Sequence, residues 1–256
     1  MNLTKNEIKR YSSLLQKKFR NAENKFLVEG KKLIGEVIDS GYTVEKLIVT
    51  NEFFEEERKL LSELIRWQLD VALVNSKEFE KLSDTVNPQG ICAVVLMPTE
   101  KPEFNAESDL VVALESVNDP GNLGTIIRTC DWFGIKNILL NEDCADIYNP
   151  KVLRASMGSV FHTSIAEGKD FIITLKLLKE MGFTIVCADI LGDSIYSKKR
   201  PAKSVIVFSN EANGPSEELL NIADRIITIP PLGYAESLNV ASAAAVIISE
   251  FTKSHR

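Results

Sequence analysis

The sequence predicts an α/β protein in two parts, a small N-terminal α/β domain followed by a larger layered domain on a mostly parallel sheet. Three observations carry that expectation. Short apolar runs alternate with segments of helical period along the whole chain, which is the order of βα units. A polar stretch with two prolines, MPTEKPEFNAESD from Met97 to Asp109, interrupts the alternation and reads as a linker. Beyond it the apolar runs become continuous, as in strands covered on both faces. The expected division is 1–97, a linker at 98–108, and 109–256.

Taken in order, the first part offers strands at FLV (26–28), KLIVT (46–50), VALV (71–74) and ICAVVLM (91–97). The helix candidates between them are KKLIGEVIDS, EFFEEERKLLSELI and SKEFEKLSD. The second part offers LVVALE (110–115), NILL (137–140), FTIVCADI (183–190), SVIVFS (204–209) and RIITI (225–229). TIIRTCDWF, KDFIITLKLLKEM and the closing SLNVASAAAVIISEFTKSH supply its helices. Ligands of such a domain are expected at the carboxyl ends of its strands.

Composition narrows the function classes. The 256 residues carry 30 Lys+Arg against 36 Asp+Glu, a formal charge of −6, and 45% are hydrophobic. No apolar run approaches the roughly 18 residues of a spanning helix, and the opening MNLTKNEIKR lacks a secretory pattern. The expectation is a cytoplasmic protein with no membrane partner. Cys92, Cys130, Cys144 and Cys187 are widely spaced, without a C-x-x-C, and there are two histidines. Neither a disulfide framework nor a metal site is expected.

The charge is unevenly distributed. Residues 1–32 hold nine basic side chains (Lys5, Lys9, Arg10, Lys17, Lys18, Arg20, Lys25, Lys31, Lys32) and three acids, a local +6, so the other 224 residues carry −12. Interleaved with Tyr11 and Phe19, this start has the composition of a phosphate-contacting face centred on Lys17, Lys18 and Arg20. A solvated amphipathic helix has the same composition.

Three segments follow strands and are rich in residues that build backbone-lined sites. In ESVNDPGNLGTIIRT, Asp119-Pro120-Gly121 turns the chain, Asn122 can cap the helix and Arg128 falls between Ile127 and Cys130, close to the buried side. In SNEANGPS (209–216), Glu211 lies just beyond a strand end, the Asn213-Gly214 turn exposes backbone N–H groups, and Ser216 can cap the next helix. In ITIPPLGYAESLNVASAAAV (227–246), two prolines force an extended loop, Ser237 and Asn239 mark a helix start, and the small residues after them permit close helix packing. A dinucleotide G-x-G-x-x-G and a Walker motif are both missing.

Together, NDPGNLGTIIRT, SNEANGPS and IPPLGYAESLNVASAAA resemble the three motifs of the TrmH (SpoU) branch of the SPOUT RNA methyltransferases. FLVEGKKLIGEVIDSG and TVNPQGICAVV are similar to the substrate-binding domain that precedes the catalytic domain in many such enzymes. The resemblance implies S-adenosylmethionine as cofactor, the 2′-hydroxyl of an RNA ribose as acceptor, a deep trefoil knot, and a homodimer through the catalytic domain. It places Asn122, Arg128, Glu211, Ser237 and Asn239 at catalytic positions, and Ser209, Glu211, Gly214, Ile229, Leu232 and Leu238 around the cofactor. NPKVLRASMGSVFH (149–162) also resembles a family segment, with Arg154 as an RNA contact. Two departures stand out: Ser209 and Ala212 replace glycines of the second motif, and Pro231 replaces a methionine of the third. Where contacts are to backbone atoms, such changes narrow a pocket rather than abolish it.

The appended N-terminal domain favours ribosomal RNA as partner. The alternatives at this level are a transfer RNA 2′-O-methyltransferase or a catalytically silent RNA-binding member. A guanidinium is not deprotonated in proteins, so Arg128 is expected to clamp a phosphate and stabilise charge rather than act as a base.

Overall fold

The computed structural model of the chain describes residues 2–59, 69–99, 108–197, 200–210 and 213–253. Two compact units are present, residues Met1–Glu100 with Tyr148–Phe161, and Lys101–Ile147 with His162–Arg256.

The first unit opens with α1 (Lys5–Ser13), started by a capping box in which Thr4 accepts from the Glu7 N–H and Glu7 accepts from the Thr4 N–H. After α2 (Lys17–Glu23) come β1 (Lys25–Glu29), α3 (Lys31–Asp39), β2 (Val44–Thr50), α4 (Asn51–Glu56), β3 (Val71–Val74), α5 (Ser76–Phe79) and β4 (Ile91–Leu96). The strands form one sheet in the order β1-β4-β2-β3, with β4 antiparallel to both neighbours and β3 parallel to β2. Tyr11 and Leu14 at the end of α1 pack on Leu27, Ile48 and Val94 of the sheet. The turn into α2 is held by Arg20, whose Nη1 donates to the carbonyls of Leu14 (2.9 Å) and Leu15 (2.8 Å). Arg20 is 2% exposed. Its assignment to a phosphate-contacting face is therefore corrected: the guanidinium satisfies carbonyls that α1 leaves without intrahelical partners.

The second unit runs β5 (Leu110–Glu115), α6 (Pro120–Trp132) and β6 (Asn137–Asn141). The chain then passes through α7 (Pro150–Ser156), which clusters with the first unit, before β7 (Ser164–Gly168) and α8 (Phe171–Glu180). It closes with β8 (Thr184–Ser194), β9 (Ser204–Ser209), α9 (Glu217–Ile222), β10 (Arg225–Thr228) and α10 (Val240–Thr252). Six strands form a wholly parallel sheet in the order β10-β8-β9-β5-β6-β7. On one face, Val111, Ala113, Val205 and Val207 pack under Phe171, Leu175 and Leu178 of α8 and Leu219 of α9. Their neighbours Val112, Leu114, Ile206 and Phe208 alternate to the opposite face and are also buried. There α10 lies against α6 and β9. Both helices bury small residues, Gly124 in α6 and Ala241 and Ala244 in α10, as the run of alanines suggests.

Strand β7 lacks a counterpart in the apolar pattern. Its sequence SIAEG buries only Ile165 fully, because it is an edge strand whose signal is parallel pairing with β6 rather than hydrophobicity. The placement of Tyr148–Phe161 also differs from a division between 97 and 109. The Tyr148 ring stacks on Phe26 with centroids 4.3 Å apart, and Phe161 lies 6.2 Å from the same ring. Gly158, at φ +97°, presses on Glu36 so closely that an added Cβ would stand 2.5 Å from its Cγ.

All four cysteines are free and buried. Burial pushes the Cys144 thiol up to about 11 and that of Cys187 to about 12, and raises Cys92 and Cys130 further. None is a candidate nucleophile.

Candidate active site

Strands β5 and β9 are neighbours, yet the chain leaves β5 towards β6 on one side and leaves β9 towards β10 on the other. The crevice between their carboxyl ends is the topological switch point at which open parallel sheets bind ligands. Because all six strands are parallel, the loops after β5, β9 and β10 emerge at one sheet edge. These loops are the three segments that the sequence marks as chemical.

The first loop starts with Ser116, whose φ of 57° is left-handed and uncommon for a residue with a side chain. Asn141 at the end of β6 holds it there, accepting the Ser116 N–H at 2.8 Å and donating to its hydroxyl at 3.3 Å. The N-cap of α6 is Asp119, with Pro120 at the first helical position. Asn122 is thus not the cap. Its N–H lies one turn in and donates to Asp119 Oδ1 at 2.8 Å, which leaves its side chain free for another partner. That partner is Asn239 at the head of α10, whose Nδ2 donates to Asn122 Oδ1 at 3.0 Å. The same Asn239 caps α10 through Oδ1, which accepts from Ala241 N at 3.0 Å and Ser242 N at 3.3 Å.

Arg128 is corrected in place. Ile126, Ile127 and Cys130 are buried, whereas Arg128 is exposed with Thr125 and Trp132 on the solvent face of α6. Residues three or four apart share a helix face, and this one is the polar face. Among the described residues no ion pair engages the Arg128 guanidinium. A charge kept in water is available to an incoming anion.

The second loop is joined to the first by a carboxylate that the sequence reasoning did not single out. Glu115, the last residue of β5, is 7% exposed and stands opposite Ser209, the last residue of β9. It accepts from Ser209 Oγ (3.0 Å), Ser216 N (3.0 Å) and Ser216 Oγ (2.6 Å). Asn210 adds two links, its N–H to the Glu115 carbonyl at 3.2 Å and its Nδ2 to the Ser116 carbonyl at 3.1 Å. Gly214, at φ +64°, makes the turn before α9, where Ser216 is the cap as expected. Glu211 and Ala212 lie outside the described residues. A cavity of about 340 Å³ opens beside these groups, lined by Glu115, Ser116, Asn141, Gly168, Asn210 and Gly214 among others.

The third loop runs from Ile229 to Asn239. Ile229 is half-buried, while Leu232, Ser237 and Leu238 are exposed. Ser237 precedes the cap and makes no hydrogen bond among the described residues. Exposed apolar side chains on one loop suit a ligand with a flat aromatic part.

The profile of the SpoU rRNA Methylase family matches residues 109–249. The chain belongs to that family. Residues 5–93 of this SpoU methylase match the MRM3-like substrate binding domain. It is 32% identical to the 23S rRNA (guanosine(2553)-2'-O)-methyltransferase RlmP of Bacillus subtilis over 243 residues, 94% of each chain. Among solved structures, a putative RNA methyltransferase of the TrmH family from Porphyromonas gingivalis superposes with TM-score 0.84 at 33% identity, covering 98% of both chains. The AdoMet-bound rRNA methyltransferase from Sinorhizobium meliloti gives 0.84 at 29% identity, covering 100% of this chain and 97% of the other.

In this SpoU chain the structure therefore brings Asn122 and Asn239 into contact, and ties Ser209 to Glu115 at the end of β5, where the first loop begins. Ser237, Ile229, Leu232 and Leu238 lie on the loop after β10, and Arg128 lies two turns into α6; none of the five hydrogen-bonds another among the described residues. Arg154 is committed elsewhere: its guanidinium makes two hydrogen bonds to Asp84, at 2.5 and 2.9 Å. Glu115 could have been found from one signal, a carboxylate closing an otherwise apolar six-residue run. Asp119, rather than Asn122, follows from the rule that proline favours the position after the cap.

Proposed function

We propose that this protein transfers the methyl group of S-adenosylmethionine to a ribose 2′-hydroxyl of ribosomal RNA, residues 1–97 recruiting the RNA and 109–256 performing the transfer. The observation that carries the reading is the convergence of the three loops at the switch point, with Asn239 of the third bonded to Asn122 of the first. The residues suit the cofactor. Gly214 permits close backbone approach, and the exposed Leu232 and Leu238 can sandwich a purine. When bound, S-adenosylmethionine supplies an electrophilic methyl carbon on a sulfonium.

The chain's own residues then have to align the ribose oxygen and handle its proton. Arg128 binds a phosphate of the target nucleotide and stabilises the charge that develops on the 2′-oxygen. The hydroxyl proton passes to that phosphate, since the guanidinium already carries its full complement of protons. Asn122 and Asn239 hold the helix that bears Arg128 to the third loop. Glu211 belongs to the same reading as a loop-positioning acid.

The trefoil knot, the homodimer through the catalytic domain and a cytoplasmic location are further parts of this proposal. The fully exposed Tyr234 supports the dimer, as a side chain that a second copy would cover. Among the described residues no helix is long and apolar enough to cross a membrane.

The test is transfer of tritiated methyl from S-adenosylmethionine to ribosomal RNA from a strain lacking the gene. Label is expected in alkali-resistant dinucleotides, which report 2′-O-methylation. Label on a base, or on transfer RNA alone, would refute the assignment.

The basic face enters this reading in reduced form. Arg10 pairs with Glu23, Lys25 with Glu45 and Lys31 with Glu57, while Arg20 is buried. Lys5, Lys9, Lys17, Lys18 and Lys32 are exposed. Reversing Lys17 and Lys18 to glutamate is expected to weaken RNA binding about tenfold near 100 mM salt and to reduce the slope of log K against log salt by about two. Cofactor affinity should not change. An unaltered RNA affinity would make these lysines ordinary solvated side chains.

A further inference from the structure

We infer that Glu115 is a positioning residue, whose one buried carboxylate joins Ser209 at the end of β9 to Ser216 at the cap of α9 and so sets the shape of the cofactor pocket. The inference rests on the function proposed above, which makes the loop between these two residues part of the cofactor site. Three donors converge on the carboxylate, one from Ser209 at the start of the loop and two from Ser216 at its end. The group belongs to β5, whose register against β9 fixes it directly opposite Ser209. Both flanks of the loop are therefore tied to a central strand of the sheet, in addition to the bond from the Gly214 N–H to the Asn210 carbonyl at 2.9 Å. Serine at 209 acquires a reason, because its hydroxyl reaches Glu115, a bond that glycine cannot make. Ser209 itself is 8% exposed and committed to Glu115, so it shapes the pocket from behind.

Removing a carboxylate that accepts three hydrogen bonds is expected to be measurable in the loop before the whole domain unfolds. Three full-length variants test it by titration with S-adenosylmethionine, steady-state kinetics on RNA and amide exchange across 209–216. Glu115→Ala is expected to raise the cofactor Kd and the exchange rate of the loop at least about tenfold, with kcat at saturating cofactor within about threefold. Glu115→Gln should recover most of both losses, to within about threefold of wild type, since its amide oxygen can accept from Ser209 and Ser216 N while its NH2 donates to Ser216 Oγ.

If Glu115→Ala does not fold, Ser209→Ala removes one arm alone and is expected to raise exchange and Kd about threefold. Unchanged exchange and Kd in either alanine variant, or equal damage by glutamine and alanine at 115, would overturn the inference. Should the wild-type protein bind no S-adenosylmethionine, the functional reading fails, while the exchange comparison still decides whether Glu115 clamps the loop.

Discussion

Replacing Arg128 with alanine is expected to lower methyl transfer by about 10³-fold while S-adenosylmethionine affinity stays within about threefold. The size follows from the role: a fixed positive charge at a developing oxyanion is among the largest single contributions to a group transfer. The selectivity follows from position. Arg128 lies on the exposed face of α6 and engages no carboxylate among the described residues, so its removal leaves no cavity and orphans no partner among them. Stability should change by no more than about 0.5 kcal/mol, as for most surface substitutions. A loss of activity can then be assigned to chemistry. Arg128→Lys, which keeps the charge but not the planar fork, separates two mechanisms. Retention of most activity means that charge is what matters, whereas full loss means that bidentate phosphate geometry does. Undiminished turnover by Arg128→Ala would remove the residue from the mechanism.

Gly192→Ala is expected to cost about 2–3 kcal/mol by overpacking, a fall in Tm of about 6–10 °C. An added Cβ at Gly192 would stand 2.5 Å from both N and C of Ile227, backbone atoms that no rotamer change can move. The place matters because β10 changes register there. Ile226 pairs with Cys187, and the next residue, Ile227, pairs with Asp193, so the middle of β8 arcs away while its two ends share one partner strand. Displacing Ile227 shifts the strand from which the third loop departs, and cofactor affinity is expected to fall along with stability. Gly35→Ala is the control. It lies inside α3 with nothing within 4 Å of the added methyl, and should stabilise by about 0.5–1 kcal/mol. Calorimetric melting of the three proteins checks both signs, and an unshifted Gly192→Ala melt would mean that β10 moves freely at this point.

Strands such as β4, β5, β6 and β9 were legible because each is a continuous apolar run buried on both faces, for which one signal suffices. The edge strand β7 was not, since SIAEG has one fully buried side chain and is defined by its pairing with β6. At the site, Asn239 was legible as a helix start from its residue type and its place before small helix formers. Its partner was not, because Asn122 and Asn239 are 117 residues apart and meet only when α6 and α10 pack. Arg128 was legible by its motif but not by its exposure. A three-residue window of Ile127, Arg128 and Thr129 does not say which face of α6 is covered until α10 lies on the other one.

The basic opening shows the same division. Composition and spacing alone specify two alternating α/β stretches, three loops with unusual turn chemistry and a cluster of nine positive residues near the start. Which of those positive side chains face water was decided by packing. Arg20 was drawn inside to satisfy the carbonyls of Leu14 and Leu15, and others were matched by Glu23, Glu45 and Glu57 brought in from distant positions. Residue type is a local property that a sequence states directly. Exposure, pairing and the clamp at Glu115 depend on strand order and register, which link residues a hundred positions apart through the cooperative closing of one parallel sheet.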